Sequence, residues 1–278
     1  MTSDIEGTDS GGEFATSGPS LRTECPLCGS RFVRVDAVDS FSPCHACSGL
    51  IRLRLPSEAE LSQWYSLGWR DPEVHTSETG ATGRDLADDY VSVITRALGL
   101  RDLTGQAVLD FGAGKGKVST ALKRRNAEVQ AIEPYGLENL GELSVKAVKS
   151  LHELPQGVVV DGIVMIQVIE HLPNPVETLR SLSHFLRTGG FLFVATPNAF
   201  GARARLVGHQ WSERKKLGHL QLFTQQSLSI AFDRAGFART RRVRGFLRYT
   251  SHSLRSIAQF GLQALGLDGD LRMIAWKS

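Results

Sequence analysis

The sequence predicts an α/β fold, in which helices cover both faces of a mostly parallel sheet and a small zinc ribbon precedes it. From residue 106 onward, apolar strand-like segments alternate with helix-like segments, which is the pattern of repeated β-α units. The four cysteines fall in two close pairs near the start of the chain. With 278 residues, of which 41% are hydrophobic and 22% charged, the chain is long enough for one medium domain with a small appendage.

The first 20 residues and the overall charge limit the ordered part of the chain and the kinds of partner that we expect. Residues 1–20 are acidic, rich in Ser, Thr and Gly, and contain no Lys or Arg, so we predict a disordered tail there. A net charge of +3 is too small to indicate nucleic acid or membrane by itself. We find neither an apolar run of about 18 residues, which a membrane span needs, nor a signal-peptide pattern, so we expect a cytoplasmic protein without a membrane partner.

The cysteine spacing predicts a structural zinc site in a ribbon over residues 21–56. The pattern is C-x2-C, fifteen residues and C-x2-C, and four thiolates complete a tetrahedral zinc shell without leaving a position for water. Gly29 and Gly49 fit the positive-φ positions that such turns need. The predicted zinc ligands are Cys25, Cys28, Cys44 and Cys47.

A helix and a linker are predicted between the ribbon and the main domain, over residues 57–83. Residues 50–55 resemble a strand, and Pro56 opens a helix that carries Leu61, Trp64 and Tyr65. Polar residues 71–83 form the linker. The main domain is then predicted to span 84–278 and to begin with an amphipathic helix over 85–100.

The strands of the main domain are predicted from apolar runs. They cover 107–112, 128–134, 162–169, 189–197, 240–246 and 270–277, and the helices cover 116–125, 175–187, 225–235 and 252–265. In such a sheet, ligands bind at the carboxyl ends of the strands.

The glycine-rich turn after the first of these strands excludes two cofactor types. The stretch reads D-F-G-A-G-K-G from Asp110 to Gly116. A P-loop needs four residues between its glycines and a hydroxyl after the lysine, and this stretch has neither. A dinucleotide loop needs a glycine at 117, which is lysine here. An acidic residue, Glu133, follows 23 residues after Asp110, at the end of the next strand, where an acid can bind ribose hydroxyls.

At these residues the chain resembles the class I S-adenosylmethionine-dependent methyltransferases. The resemblance implies a Rossmann-like, seven-stranded methyltransferase sheet. It also covers the stretches "EHLPNP", "ATPN" and "HLQLFT", and a subset of the family shares the cysteine ribbon. It implies S-adenosylmethionine as the cofactor, held by Asp110, Gly112, Ala113, Gly114, Glu133, Pro134, Ser150, Leu151, Gln167 and Tyr90.

Two histidines are the candidate catalytic residues. His171 follows the fourth strand and His219 opens the "HLQLF" segment. An imidazole titrates near neutral pH, so either residue can act as a general base for a hydroxyl or amine acceptor. We expect one of the two to be that base, while a purely structural role for each stays open.

The resemblance implies a small-molecule acceptor, such as a sugar, a glycan precursor or a natural product. Residues 201–222 are predicted to cover the substrate. From 201 to 248 the chain has eleven Lys and Arg against two acids, which suits a phosphorylated or nucleotide-linked acceptor, although a solvated basic face explains it equally well. The alternative is an RNA methyltransferase that binds RNA with its ribbon and basic patch. The weakly basic ribbon and the absent N-P-P-[YF] signature count against that alternative.

Overall fold

The computed structural model describes residues 20–32, 41–70, 83–245 and 261–278. The predicted tail, apart from residue 20, lies outside these ranges. So do the linker over 71–82 and the first nine residues of the helix expected over 252–265. Within the described ranges, no helix is long and apolar enough to cross a membrane.

The main sheet has seven strands in the order β5-β4-β3-β6-β7-β10-β9. The five strands β5, β4, β3, β6 and β7 run parallel to one another. Strand β10 is antiparallel to both of its neighbours, β7 and β9. This confirms the predicted α/β fold. The strands are β3 (Ala107–Phe111), β4 (Glu128–Ile132), β5 (Lys146–Val148), β6 (Val160–Ile166), β7 (Leu186–Pro197), β9 (Phe237–Arg242) and β10 (Asp270–Lys277).

A second, three-stranded sheet links the cysteine ribbon to the main domain. Its order is β1 (Phe41–Pro43), β2 (Leu50–Arg52) and β8 (Gln221–Leu222). Strands β1 and β2 form an antiparallel hairpin whose loop holds the second cysteine pair. Strand β8 belongs to the segment that sequence analysis assigned to the substrate cover, and it pairs antiparallel with β2.

Eight helices with the bounds given below connect and flank these strands, and residues 261–265 of the described part are helical as well. Helix α5 begins with Pro175, whose fixed φ suits a first helical position. Helix α8 begins after Thr224, which forms a reciprocal capping box with Ser227. The helices are α1 (Glu58–Arg70), α2 (Gly83–Leu98), α3 (Lys117–Arg124), α4 (Leu137–Glu142), α5 (Pro175–Phe185), α6 (Ala202–Val207), α7 (Ser212–Lys215) and α8 (Gln225–Arg234).

Two large hydrophobic clusters hold the main sheet, one on each face. Leu109 belongs to one cluster and the adjacent Val108 to the other, as the alternation of side chains along a strand requires. The first cluster also contains the ribbon residues Leu27 and Cys47, together with Phe232 of α8. The ribbon therefore shares its hydrophobic core with the main domain.

Candidate functional site

The glycine turn after β3 lies at the carboxyl edge of the main sheet. Gly112, Gly114 and Gly116 have φ values of 76°, 55° and 72°, a left-handed conformation that other residues rarely adopt. A Cβ on Gly112 would lie 2.5 Å from Cγ2 of Val168. Gly112 therefore meets two requirements, a left-handed backbone and close approach to the loop after β6.

Two buried carboxylates flank this turn. Asp110 is the penultimate residue of β3 and has 2% of its surface exposed, and it accepts a hydrogen bond of 2.6 Å from the Ser119 hydroxyl. Burial raises the Asp110 pKa to about 6. Glu133, just after β4, accepts backbone N–H bonds from Gly114 at 2.6 Å and Tyr135 at 3.0 Å. Because each carboxylate oxygen has two lone pairs, Glu133 can accept further hydrogen bonds.

Two of the predicted cofactor contacts, Ser150 and Leu151, lie beside Glu133. Ser150 and Leu151 follow β5, and the N–H of Glu133 donates to the carbonyl of Val148 at the end of that strand. Pro134 directly follows Glu133 and is exposed. The fold thus brings these predicted cofactor residues to one edge, beside the buried Ala113 of the glycine turn.

Tyr90 and Gln167 converge on an acid that sequence analysis did not single out. The Tyr90 hydroxyl donates to one oxygen of Asp270, and the Gln167 side chain donates to the other oxygen at 3.2 Å. Gln167 also has a positive φ of 57°, which is uncommon for a residue with a side chain and typical of functional sites. Asp270 begins β10, more than 100 residues away along the chain, so no local pattern pointed to it.

The two candidate histidines are neighbours in the structure. The ring centroids of His171 and His219 lie 4.7 Å apart. Nδ1 of His171 lies 2.9 Å from the Gly218 carbonyl, so this nitrogen donates and Nε2 has the lone pair of the neutral ring. His219 is 2% exposed, and burial and the nearby His171 hold its pKa well below the usual value. His219 is therefore neutral at pH 7.

Glu170 completes this cluster and was also missed by sequence analysis. It is fully buried and accepts a hydrogen bond of 2.9 Å from the Thr196 hydroxyl. Burial raises its pKa to about 8. Its second oxygen has no hydrogen-bond partner among the described residues and lies 4.0 Å from Nε2 of His171.

The three side chains also form a donor set that suits a divalent cation. One ligand atom each from Glu170, His171 and His219 lies within 4.8 Å of the others. Imidazole and carboxylate groups are common ligands of such ions. The cluster can therefore accept a proton or coordinate a cation.

Aromatic side chains of α1 lie over the histidines. The Trp64 and Tyr65 rings lie 5.9 Å and 6.0 Å from the His171 ring, between centroids. Tyr65 also stacks on Tyr135 at 5.5 Å. Sequence analysis placed Trp64 and Tyr65 on a helix but could not show which loop they cover. In the structure Trp64 and Tyr65 form an aromatic wall beside His171, and Tyr65 extends it to Tyr135.

The four cysteine sulfurs lie close enough together to ligate one metal ion, since all are within 4.8 Å of one another. Sγ of Cys25 lies 3.7 Å from that of Cys47, and Sγ of Cys28 lies 3.5 Å from that of Cys44. A zinc–sulfur distance of about 2.3 Å in a tetrahedron places its sulfurs about 3.8 Å apart. The observed distances fit that shell, and they are far too long for disulfide bonds.

The two cysteine turns differ from the sequence expectation in one position. Gly29 has a positive φ of 79°, as expected, but in the second turn Ser48 has it, with φ of 62°, and not Gly49. Gly49 is required for space, because a Cβ there would lie 2.9 Å from Cδ1 of Leu27 and 3.2 Å from Cβ of Ser227. The expectation for Gly49 was wrong, since it packs against residues that are close only in the tertiary structure.

The basic segment expected to cover the substrate uses several of its charges internally. Arg214 donates to the Phe41 carbonyl at 2.9 Å, Lys215 donates to Gln210 at 3.3 Å, and Lys216 pairs with Glu213 at 2.7 Å. These contacts bind the segment to the ribbon and to itself.

Solved structures share the fold of this protein. The [4+2]-cyclase SpnF covers 82% of this chain and 98% of its own, with a TM-score of 0.55 and 15% identity. A 1,6-didemethyltoxoflavin-N1-methyltransferase from Burkholderia thailandensis, solved with S-adenosylhomocysteine, covers 94% and 100%, with a TM-score of 0.53 and 17% identity. The fold is that of the class I S-adenosylmethionine-dependent methyltransferases.

Sequence comparison assigns the family. A family profile described as a methyltransferase domain matches residues 83–241, and the chain belongs to that family. Relatives include a ubiquinone biosynthesis O-methyltransferase from Xylella fastidiosa, 30% identical over 154 residues, which are 51% of this chain and 59% of the relative. One from Aeromonas salmonicida is 32% identical over 114 residues, or 34% and 45%. The matches thus span less than two thirds of these relatives.

Proposed function

We propose that this protein transfers a methyl group from S-adenosylmethionine to a hydroxyl or amine of a small molecule. The observation that carries the proposal is the position of His171 and His219. Their rings lie 4.7 Å apart at the loops that follow β6 and precede β8, and the first of these loops also packs against the glycine turn through Val168. A base beside the cofactor edge is the arrangement that methyl transfer to a protonated nucleophile needs.

The cofactor residues in this proposal are those at the carboxyl edge of the sheet. Asp110 and Glu133 bind the polar ends of S-adenosylmethionine, and the glycine turn lets the backbone approach it. The cofactor supplies an activated methyl group on sulfur. Ala113, Pro134, Ser150, Leu151, Gln167 and Tyr90 complete the proposed contact set.

His219 is our candidate general base, with His171 orienting the acceptor. Because burial keeps His219 neutral at pH 7, its ring can accept the proton that the acceptor loses when the new bond to the methyl carbon forms. The charged product ring would lie 3.6 Å from the Glu213 carboxylate, measured from Nδ1 of His219. That carboxylate offsets part of the cost that burial places on the imidazolium.

The aromatic wall favours an acceptor with a planar ring. Trp64 and Tyr65 offer π-faces near the histidines, and stacked or edge-on rings gain about 0.5–1.5 kcal/mol beyond burial. The internal contacts of Arg214 and Lys216 give less support to a phosphorylated or nucleotide-linked acceptor. They also reduce the charge available for RNA, so the small-molecule proposal is the stronger one.

We also propose that the four cysteines bind one structural zinc ion. The support is the near-tetrahedral spacing of the sulfurs. Metal analysis of purified protein is expected to find about one zinc per chain.

Radiolabelled methyl transfer to a panel of acceptors tests the proposed activity. The panel contains phenols, catechols, hydroxylated natural products, nucleotide sugars and a mixed RNA. We expect transfer to a ring hydroxyl or amine, and transfer to RNA alone would refute the small-molecule proposal. His219→Asn and His171→Asn are each expected to keep the affinity for S-adenosylhomocysteine within about twofold. The variant that removes the general base is expected to lower turnover by roughly 10²–10⁴-fold. Full turnover by both variants would refute the base.

A further inference from the structure

The hairpin that contains the second cysteine pair is joined to the segment that contains His219. Leu50 and Ile51 of β2 pair with Leu222 and Gln221 of β8, and the N–H of Arg52 donates to the Leu220 carbonyl at 3.0 Å. His219 precedes β8 by only two residues. The position of the His219 backbone therefore depends on a strand of the ribbon.

Arg52, the last residue of β2, binds three carbonyls around His219. Its Nε donates to the carbonyl of His219 at 2.8 Å, and its Nη2 donates to those of Lys216 at 3.0 Å and Arg214 at 3.3 Å. A guanidinium is planar and presents its donors in a rigid fork, so three acceptors on one fork fix the curvature of this loop. The Phe41 ring packs on the same guanidinium at 4.8 Å.

A second ribbon arginine binds the loop that contains His171. Arg22 donates to the Pro173 carbonyl at 2.6 Å, and its other terminal nitrogen donates to the Leu220 carbonyl and the Gln221 side chain, both at 3.2 Å. Pro173 follows His171 by two residues. Arg22 thus connects the two histidine-containing loops.

Gln221 closes the link between the loops. Its side-chain amide donates to the carbonyls of Ile169, Glu170 and Leu172 at 3.0, 3.2 and 2.7 Å. The N–H of Leu220 donates to the Glu170 carbonyl at 2.8 Å. The backbone on both sides of the His171–His219 pair is therefore held by one network, and two of its donors come from the ribbon.

Both arginines flank the cysteine turns. Arg22 precedes Cys25 by three residues, and its N–H donates to the Leu53 carbonyl, next to Arg52, at 2.8 Å. The second cysteine pair lies in the loop of the β1–β2 hairpin that ends in Arg52. Small sheets of two or three short strands are marginally stable alone, and a metal bound to all four thiolates would fix the two arginines relative to each other.

We propose that the cysteine ribbon contributes to the active site, because Arg52 and Arg22 are positioning residues for His219 and His171. Bound metal would stabilise the ribbon segments that contain the two arginines. This inference rests on the proposed function for the role of the histidines. Neither arginine is assigned a contact with the reacting atoms. Both lie outside the region 83–241 that the family profile matches.

The test uses Arg52→Lys in the full-length, zinc-loaded protein. Lysine keeps the charge but cannot bind three carbonyls through a planar fork. We expect the affinity for S-adenosylhomocysteine to stay within about twofold by calorimetry, while kcat falls about 10- to 100-fold and KM changes by less than about threefold. Arg31→Lys is the matched control, because Arg31 is a ribbon arginine with an 86% exposed side chain.

Histidine side-chain NMR supplies a readout that does not depend on turnover. The imidazole signals of His219 are expected to shift in Arg52→Lys and in protein whose zinc was removed under reducing conditions, and to stay unchanged in Arg31→Lys. Unchanged His219 signals and unchanged kcat in Arg52→Lys would overturn the proposal. Loss of S-adenosylhomocysteine binding in zinc-free protein would also overturn it, since the ribbon would then support the whole fold.

The same experiment separates this inference from the proposed function. If wild-type protein transfers methyl to no acceptor, the proposed function fails, while the NMR signals still report whether Arg52 positions His219. If the more drastic variant Arg52→Ala fails to fold, the measurements on Arg52→Lys alone test the inference.

Discussion

Replacing Gly112 with alanine tests whether the turn after β3 holds the cofactor. Gly112 has a φ of 76°, and a Cβ there would lie 2.5 Å from Cγ2 of Val168, where ordinary contacts are 3.4–4 Å. The turn or the Val168 side chain must therefore retreat by about 1 Å. Because Val168 adjoins Gln167, that movement would displace two groups of the proposed cofactor site together.

Two terms set the expected loss of stability. A left-handed backbone costs a residue with a Cβ roughly 1–2 kcal/mol, and overpacking of a closely packed position costs about 1–3 kcal/mol. Gly112→Ala should therefore lower the free energy of unfolding by about 2–5 kcal/mol. If displacement of the turn costs about 1.4 kcal/mol of binding free energy, the affinity for S-adenosylhomocysteine falls about tenfold.

Gly105→Ala is the matched control for this prediction. Gly105 has nearly the same φ, 74°, but a Cβ there meets no heavy atom of the described residues within 4 Å. Urea unfolding and calorimetric titration with S-adenosylhomocysteine are measured for both variants. Gly105→Ala should lose about 1–2 kcal/mol and keep wild-type affinity. Equal stability losses and equal affinities for the two variants would refute the reasoning.

Three further predictions concern charge, metal and a buried hydroxyl. The pKa of Glu170 rises from an ordinary 4.5 to about 8 on folding, so its stabilising contribution is complete below pH 4.5 and is lost as pH rises towards 8, on the order of 5 kcal/mol in total. Urea unfolding between pH 5 and 9 should show that Glu170→Gln no longer loses stability at alkaline pH, whereas the control Glu177→Gln, at an exposed position, still does. The same alkaline loss of stability in both variants would contradict this prediction. Zinc removal under reducing conditions should lower the thermal midpoint by roughly 5–10 °C, and Cys44→Ser should do the same; midpoints unaffected by either change would argue against a structural metal. Tyr90→Phe removes the donor to Asp270 and should cost about 1 kcal/mol of stability and weaken S-adenosylhomocysteine binding severalfold in calorimetry, whereas an unaltered Kd would restrict Tyr90 to packing.

Much of the fold was predictable because its signals are local. Strand β10 has the predicted bounds, and the helices over 175–187 and 225–235 agree with the structure to within two residues. Strand β9 lies three to four residues earlier than expected, at Phe237–Arg242. The short strands β1, β5 and β8 were not predicted, because two or three residues carry too little periodicity to distinguish a strand from a loop.

The candidate site was predictable only where a motif marks it. The glycine turn, Glu133 and the two histidines each have a recognisable position after a strand or within a family stretch. Asp270 and the aromatic wall of α1 have no such local signal, and Glu170 lies in the stretch "EHLPNP" without any local feature that shows its burial beside His171. Their roles depend on which distant side chains they meet, as Asp270 meets Tyr90 and Gln167.

The sequence by itself determined the α/β class, the family resemblance, the type of cofactor and the four cysteines as a group, because each depends on residue types at fixed local spacings. Only the tertiary structure decided that the ribbon is not a separate appendage. Pairing of β2 with β8 and the three bonds of Arg52 join residues more than 160 positions apart. Contacts at that separation depend on how whole layers pack, and no local pattern in a single sequence encodes them.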